Sequence, residues 1–176
     1  MSEVLIISGS PSSTSKTEIV GDCVARQLAA RVRRVRHLRV RTLPPAAVLT
    51  ADLADPAIAD AMEQVAQADG VVLATPTYKA SFSGLLKTFL DLLPQYGLAN
   101  KVVLPLATGG SAAHVLILDY ALRPVVQSMA AHHVVQGAFV LDSHVCSDNG
   151  SSFVLPASAF MLADVVEAFR RALPAT

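Results

Sequence analysis

Residues 3–17, Glu3-Val4-Leu5-Ile6-Ile7-Ser8-Gly9-Ser10-Pro11-Ser12-Ser13-Thr14-Ser15-Lys16-Thr17, decide how the rest of the chain is read. The apolar run Val4-Leu5-Ile6-Ile7 predicts a buried strand over 3–8. Beyond the hydroxyl-rich turn, Ile19, Cys23, Val24, Leu28 and Ala29 recur at helical spacing and predict a helix over 15–31. A strand, a turn of Gly, Ser and Thr, and a helix start are the parts of a phosphate cradle. The helix start offers unpaired N–H groups and the positive end of its dipole. Ser10, Ser15 and Thr17 add hydroxyls, and Lys16 adds a charge. Ser15 with Glu18 three residues later also matches a capping box, which uses the same geometry. Ser15-Lys16-Thr17 nearly reproduces the end of a Walker loop, but the second glycine is missing and five residues separate Gly9 from Ser15, which argues against an NTPase.

Outward from that stretch, the chain alternates strand and helix. Val35 to Val40 predicts an edge strand, 42–56 a loop punctuated by Pro44, Pro45 and Pro56, and 57–68 a helix. Val71 to Ala74 is a short unbroken apolar run that suits a central parallel strand. A helix is expected over 84–93, a strand over 102–107, a long helix over 112–131, a strand over 134–141, a polar loop over 142–156 with a turn at Asn149-Gly150, and a last helix over 160–173. Five alternations predict an α/β fold of three layers, a five-stranded parallel sheet with helices on both faces. Within the long helix, Pro124 removes one helix bond and crowds the carbonyl of Tyr120, so a kink or π-bulge is expected around Leu118–Tyr120.

The 176 residues are consistent with one domain, and no internal repeat or linker interrupts them. Only 16% of residues are charged, against about 25% in an ordinary soluble domain, so a homodimer or homotetramer is expected to cover part of the surface. No run reaches the roughly 18 apolar residues of a membrane span, and no secretory signal opens the chain, which makes cytoplasm the expected location. Cys23 and Cys146 form no C-x-x-C pair, so neither a disulfide framework nor a dithiol site is expected. Formal net charge is zero, which gives no global pull toward nucleic acid. Arg26, Arg31, Arg33, Arg34, Arg36, Arg39 and Arg41 do cluster, but without interleaved aromatics they read as a solvated helix end and a charge-guarded edge strand.

In an open parallel sheet, ligands bind beyond the carboxyl ends of the strands. Three loops answer to that place: 9–17, 75–83 and 108–114. All are rich in Gly, Ser, Thr and Pro, and none carries paired carboxylates or metal-ligand spacing. Their donors suit a planar, phosphorylated ligand. The G-x-G-x-x-G fingerprint is absent, which favours a mononucleotide over a tightly held dinucleotide. Cys23 reads as a core residue, Lys87 with Asp91 as an i,i+4 surface pair, and Ser111 is not the nucleophile of a G-x-S-x-G elbow.

The sequence resembles the NAD(P)H-dependent FMN reductases of flavodoxin-like fold, in particular those that feed two-component alkanesulfonate monooxygenases. Gly9-Ser10-Pro11 with Ser15 and Thr17 is similar to that family's phosphate loop. Thr75-Pro76-Thr77-Tyr78, Ser83-Gly84 and Leu86-Lys87 match its P-x-Y-x-x-x-x-S-G-x-L-K signature. Thr108-Gly109-Gly110, Ala113-His114 and Asp119-Tyr120-Ala121-Leu122-Arg123-Pro124 resemble its sulfonate-linked branch. Ser12 stands where the family often has an arginine, leaving Lys16 to supply the charge.

The resemblance implies FMN held by Ser10, Ser15, Lys16, Thr17, Pro76, Thr77, Tyr78, Ser83, Thr108, Gly109, Gly110 and His114, with Gly109 and Gly110 letting the ring approach the backbone. NADPH or NADH would stack on the open ring face and pass hydride from nicotinamide C4 to flavin N5. That needs alignment and little acid–base help, so no catalytic residue, no Asp–His–Ser pattern and no metal is expected. It also implies Asp119 and Tyr120 at a tetramer interface, the tyrosine inserted into a π-helix, and an FMNH2-dependent monooxygenase as partner. A quinone or azo reductase that retains FMN, and a flavodoxin-like electron carrier, are the alternatives.

Overall fold

Val4, Leu5, Ile6 and Ile7 are all buried, and their alternation divides them between two helical layers. Leu5 and Ile7 pack into one core cluster, Val4 and Ile6 into the other. The same period of two recurs in Val71 and Leu73 against Val72 and Ala74, as expected of a central strand covered on both faces. The computed structural model describes residues 2–148 and 150–175.

The elements in chain order are β1 (Glu3–Ser8), α1 (Lys16–Leu28), β2 (Arg34–Arg39), α2 (Pro45–Thr50), α3 (Pro56–Gln67), β3 (Gly70–Tyr78), β4 (Ser81–Phe82), α4 (Gly84–Leu90), β5 (Val102–Gly109), α5 (Arg123–Ser128), β6 (His133–Val134), β7 (Ala138–Leu141), β8 (Val145–Asp148), β9 (Ser151–Val154) and α6 (Pro156–Ala172). The sheet runs β2-β1-β3-β5 and continues into β6 and β7, every pair parallel. Short β4 pairs antiparallel to the end of β3. One core cluster takes in side chains of α2, α3, α4 and α5, and the other those of α1 and α6.

Several expectations need correction. The fifth strand is two, because β5 carries Pro105. Val103 pairs with Val134 and Leu106 with Ala138, so the edge strand has one residue more than its partner over this stretch. Pro105 has no N–H to offer the ladder, and the extra residue bulges out there. Gly137 fills the bulge, since a Cβ on it would lie 2.4 Å from the Pro105 carbonyl oxygen.

The 42–56 loop contains α2, for which Pro45 supplies the first turn; proline favours that position. The 142–156 loop holds the β8–β9 hairpin, laid on α1 and tied there by Arg26 Nη2 donating to Ser152 O at 2.8 Å. Asn149 of its expected turn lies outside the described residues. β3 and β5 each run on toward the ligand end, to Tyr78 and Gly109.

The long helix over 112–131 is three pieces: a 3-10 turn at Ala112–His114, a π-helix at Leu118–Leu122, and α5. Arg123 N donates to Leu118 O, which is the wide turn that Pro124 imposes by lacking an N–H and crowding the Tyr120 carbonyl. β2 is the sheet edge, as its arginines suggested. Arg33 and Arg36 pair with Glu3, while Arg39 and Arg41 pair with Glu18. No described helix is long and apolar enough to cross a membrane.

Candidate active site

The three hydroxyl-rich loops meet at the carboxyl ends of β1, β3 and β5 and enclose a cleft of about 230 Å³. Its lining includes Ser10, Ser15, Lys16, Thr17, Pro76, Thr77, Tyr78, Thr108, Gly109 and Gly110. The loops also bond to one another. The Thr17 and Thr108 hydroxyls lie 2.7 Å apart in a buried pair, joining the first loop to the third. Thr77 Oγ1 donates to Thr108 O at 2.9 Å, joining the second to the third. Ser83 Oγ donates to Gly9 O at 2.5 Å, joining the first to the second. Each such bond contributes about 1 kcal/mol net. Together they hold three turns distant in sequence at one spacing.

α1 starts from Ser15, whose Oγ accepts from Glu18 N at 3.1 Å. The capping box is only half formed. The Glu18 carboxylate turns to Arg41 Nε at 2.8 Å and Arg39 Nε at 3.2 Å, because two guanidiniums outcompete one backbone N–H. The first N–H groups of α1, which a helix leaves without intrahelical partners, therefore open on a rim of Ser10, Ser12, Thr14 and Thr17. That donor set fits a phosphate monoester. Lys16 stands on the same rim, with Nζ donating to Asp142 O at 2.8 Å.

Two expected ligand contacts are displaced. Ser83 is buried beneath the cleft as the N-cap of α4, accepting from Leu86 N at 3.1 Å. It supports the loops and does not line them. His114 lies in the 3-10 turn outside the cleft lining. Gly109 is also re-read: a Cβ there would meet Phe139 Cζ at 2.9 Å and Thr77 Oγ1 at 3.1 Å. Its bareness thus serves packing of the wall, whereas a Cβ on Gly110 would meet nothing within 4 Å. Sequence reasoning missed Asp142, because nothing local announced that the residue following β7 returns to the cleft.

β3 runs on into a hairpin at this rim, with Thr77 opposite Phe82 and Tyr78 opposite Ser81. Its turn residues, Lys79 and Ala80, have φ of 50° and 58°. Left-handed backbone costs a non-glycine residue roughly 1–2 kcal/mol. Tyr78 is 47% exposed beside it. Nearby, Val115 and Leu116, just before the π-helix, and Tyr120 within it are exposed to solvent, Tyr120 at 79%. Asp119 is held by Arg123 Nε at 2.9 Å.

An Asp–His–Ser chain does exist, contrary to expectation. His37 Nδ1 lies 2.7 Å from Asp22 Oδ1, and Nε2 lies 3.0 Å from Ser8 Oγ. Ser8 is 0% exposed, so no substrate reaches its hydroxyl and the chain is not a nucleophilic triad. Burial pushes the His37 pKa below its ordinary value, against the pull of Asp22. A neutral imidazole there accepts a hydrogen bond from the Ser8 hydroxyl and anchors the last residue before the 9–17 turn. Gly21 makes room for it: a Cβ would lie 2.7 Å from His37 Cε1.

A roomier hollow of about 560 Å³, lined by Met62, Tyr96 and Lys101 among others, lies at the opposite end of the sheet. Lys101 donates there to Ala66 O and Ala68 O at the end of α3. Those bonds satisfy a helix terminus.

The model of the NADPH-dependent FMN reductase family matches residues 2–145. An FMN reductase (NADPH) of Pseudomonas putida is 43% identical over 172 residues, covering 97% of this chain and 87% of that protein. The NADH-dependent FMN reductase SfnE of Pseudomonas putida is 32% identical over 165 residues, covering 92% and 88%. Among solved structures, the apo form of the NADH:FMN oxidoreductase EMOB superposes with a TM-score of 0.92 at 43% identity, covering 100% of this chain and 92% of that one. Sequence, fold and cleft agree: the chain belongs to the NADPH-dependent FMN reductase family, NAD(P)H-dependent enzymes that reduce FMN.

Proposed function

We propose that this FMN reductase binds FMN in the three-loop cleft and releases it reduced to a partner monooxygenase of the sulfonate type. The observation that carries the reading is the mutual bonding of the loops through Thr17, Thr108, Thr77, Ser83 and Gly9. Bonds among the loops themselves hold the site at one spacing, so little binding energy is spent on ordering it.

The phosphate sits on the α1 start, among Ser10, Ser12, Ser15 and Thr17, with Lys16 beside it. The flat ring lies between Pro76-Thr77-Tyr78 and Thr108-Gly109-Gly110. Flavin bound there accepts hydride at N5 from nicotinamide C4. The chain's own work is positioning: it keeps one ring face against backbone and the other open. Loose retention follows from the phosphate contacts. Ser12 brings no charge, and Lys16 already gives one N–H to Asp142 O.

The exposed π-helix face is proposed as the contact between subunits of a homodimer or homotetramer. An apolar ring as exposed as Tyr120, next to Val115 and Leu116, is what an oligomer interface covers. Tyr120 would then influence whether reduced flavin leaves.

The test is direct. Purified, dialysed protein should be colourless and should oxidise NADPH or NADH only when FMN is added. Yellow colour that survives dialysis, with electrons passed to quinones or azo dyes, would instead favour the retaining reductase. Tyr120→Ala should alter subunit assembly and flavin transfer; no change in either would sink that part of the proposal.

A further inference from the structure

Twelve of the fourteen lysines and arginines have a hydrogen-bonding or ionic partner among the described residues. At the ligand end, Lys16 is on Asp142 O, and Arg39 and Arg41 are locked on Glu18 and Asp22. Arg123 is held by Asp119 and by the carbonyls of Val134 and Val135. Lys87 is on Asp91. The two cations without such a partner are Lys79 and Arg34, both exposed. Arg34 pairs in register with Glu3, where β1 begins, so it lies at the far end of the sheet. Lys79 follows Tyr78 at the rim of the cleft.

Its backbone adds a second observation. Lys79 and Ala80 both take positive φ in a two-residue hairpin turn. Glycine or asparagine occupies such a turn without strain. A lysine is held there against its own conformational preference, and strain of this kind persists where a function uses the residue.

The reaction supplies the ligand. A nicotinamide dinucleotide brings a diphosphate, and NADPH a further 2′-phosphate, to a rim whose other cations are engaged. We propose that Lys79 is a substrate-binding residue that holds a phosphate of the nicotinamide dinucleotide while the nicotinamide lies on the flavin beside Tyr78. This rests on the placement of FMN given above. The ammonium acts as a point charge on a flexible stem, so it anchors the dinucleotide without touching the reacting atoms.

The experiment compares Lys79→Gly, Lys79→Asn and Lys79→Arg with the wild type, at saturating FMN, with NADPH and with NADH. Gly and Asn should raise the dinucleotide KM about tenfold with kcat and FMN affinity little changed, while Tm rises because the turn relaxes. Arg should keep KM near the wild type. A rise confined to NADPH identifies the 2′-phosphate as the group bound; an equal rise with NADH identifies the diphosphate. An unchanged KM in the Gly and Asn variants overturns the proposal and leaves the flavin site standing, as does a parallel loss of FMN affinity, which would place Lys79 on the flavin. Intact protein that fails to bind FMN at all would overturn the site reading and this proposal with it.

Discussion

The two ends of the cleft are built differently. At the proposed phosphate end, Ser10, Ser15, Thr17 and Thr108 are buried, and their hydroxyls bond within or between the loops. Beneath them, Glu18, Asp22, Arg39 and Arg41 with the neutral His37 form a polar lattice that ties α1 to β2 and the turn after it. At the proposed ring end, Tyr78 and Tyr120 face solvent, the hairpin turn is strained, and the helix carrying Tyr120 is wide-wound. One end is a fixed clamp. The other is exposed surface that a second substrate or a neighbouring subunit can still cover. On the proposed function, a reductase that holds FMN by its tail, admits a dinucleotide and lets the flavin go would gain from that division.

The sharpest way to break the comparison is at the clamp. A Cβ on Gly9 would lie 2.4 Å from Leu86 Cβ and 2.9 Å from Ser83 Oγ, with the α4 backbone close behind. Gly9→Ala should therefore cost about 1–3 kcal/mol of stability and weaken FMN binding by more than tenfold, read by urea unfolding and flavin fluorescence titration. Next, Thr108→Val leaves the buried Thr17 hydroxyl without its partner. That should cost about 1–2 kcal/mol and raise the KM for FMN with kcat nearly unchanged in a steady-state assay.

His37 tests the lattice by pH. Its folded pKa lies below the ordinary 6.5 because burial disfavours the charged ring. The folded state therefore binds the proton less readily than the unfolded chain. Its contribution is present above pH 6.5 and is lost as pH falls through the lower folded value. Urea midpoints between pH 7.5 and 5 should drop more steeply for the wild type than for His37→Gln; parallel curves would remove His37 from the account. The smallest effect on stability belongs to the open end. Tyr120→Ala should leave the unfolding free energy of the isolated subunit within about 0.5 kcal/mol, while sedimentation shows altered assembly. A large loss of subunit stability would mean that Tyr120 belongs to the clamp.

Local chemistry made much of this legible beforehand. Val4 to Ile7 read as a buried strand and Val71 to Ala74 as a central one, and Pro124 called for a kink or π-bulge around Leu118–Tyr120. What escaped had partners far away in the chain. Ser83 reads as a ligand contact until β3 and α4 bring it under Gly9. Gly109 reads as a wall for the ring until Phe139 arrives behind it. The break between β6 and β7 is written in neither strand, because its cause is Pro105 on the neighbour. The helix at Pro45 was misread for a simpler reason, since proline starts helices as well as ending them.

By itself, the order of residues determined the alternation of strand and helix, the parallel sheet, and the three turns at its carboxyl end, because periodicity, capping and turn preference act over a few neighbours. Only the tertiary structure decided which hydroxyls hold the loops together, which cations are already engaged, and that Lys79 has no partner among the described residues. Those facts depend on distances between residues tens of positions apart, which chain order leaves open and packing alone sets.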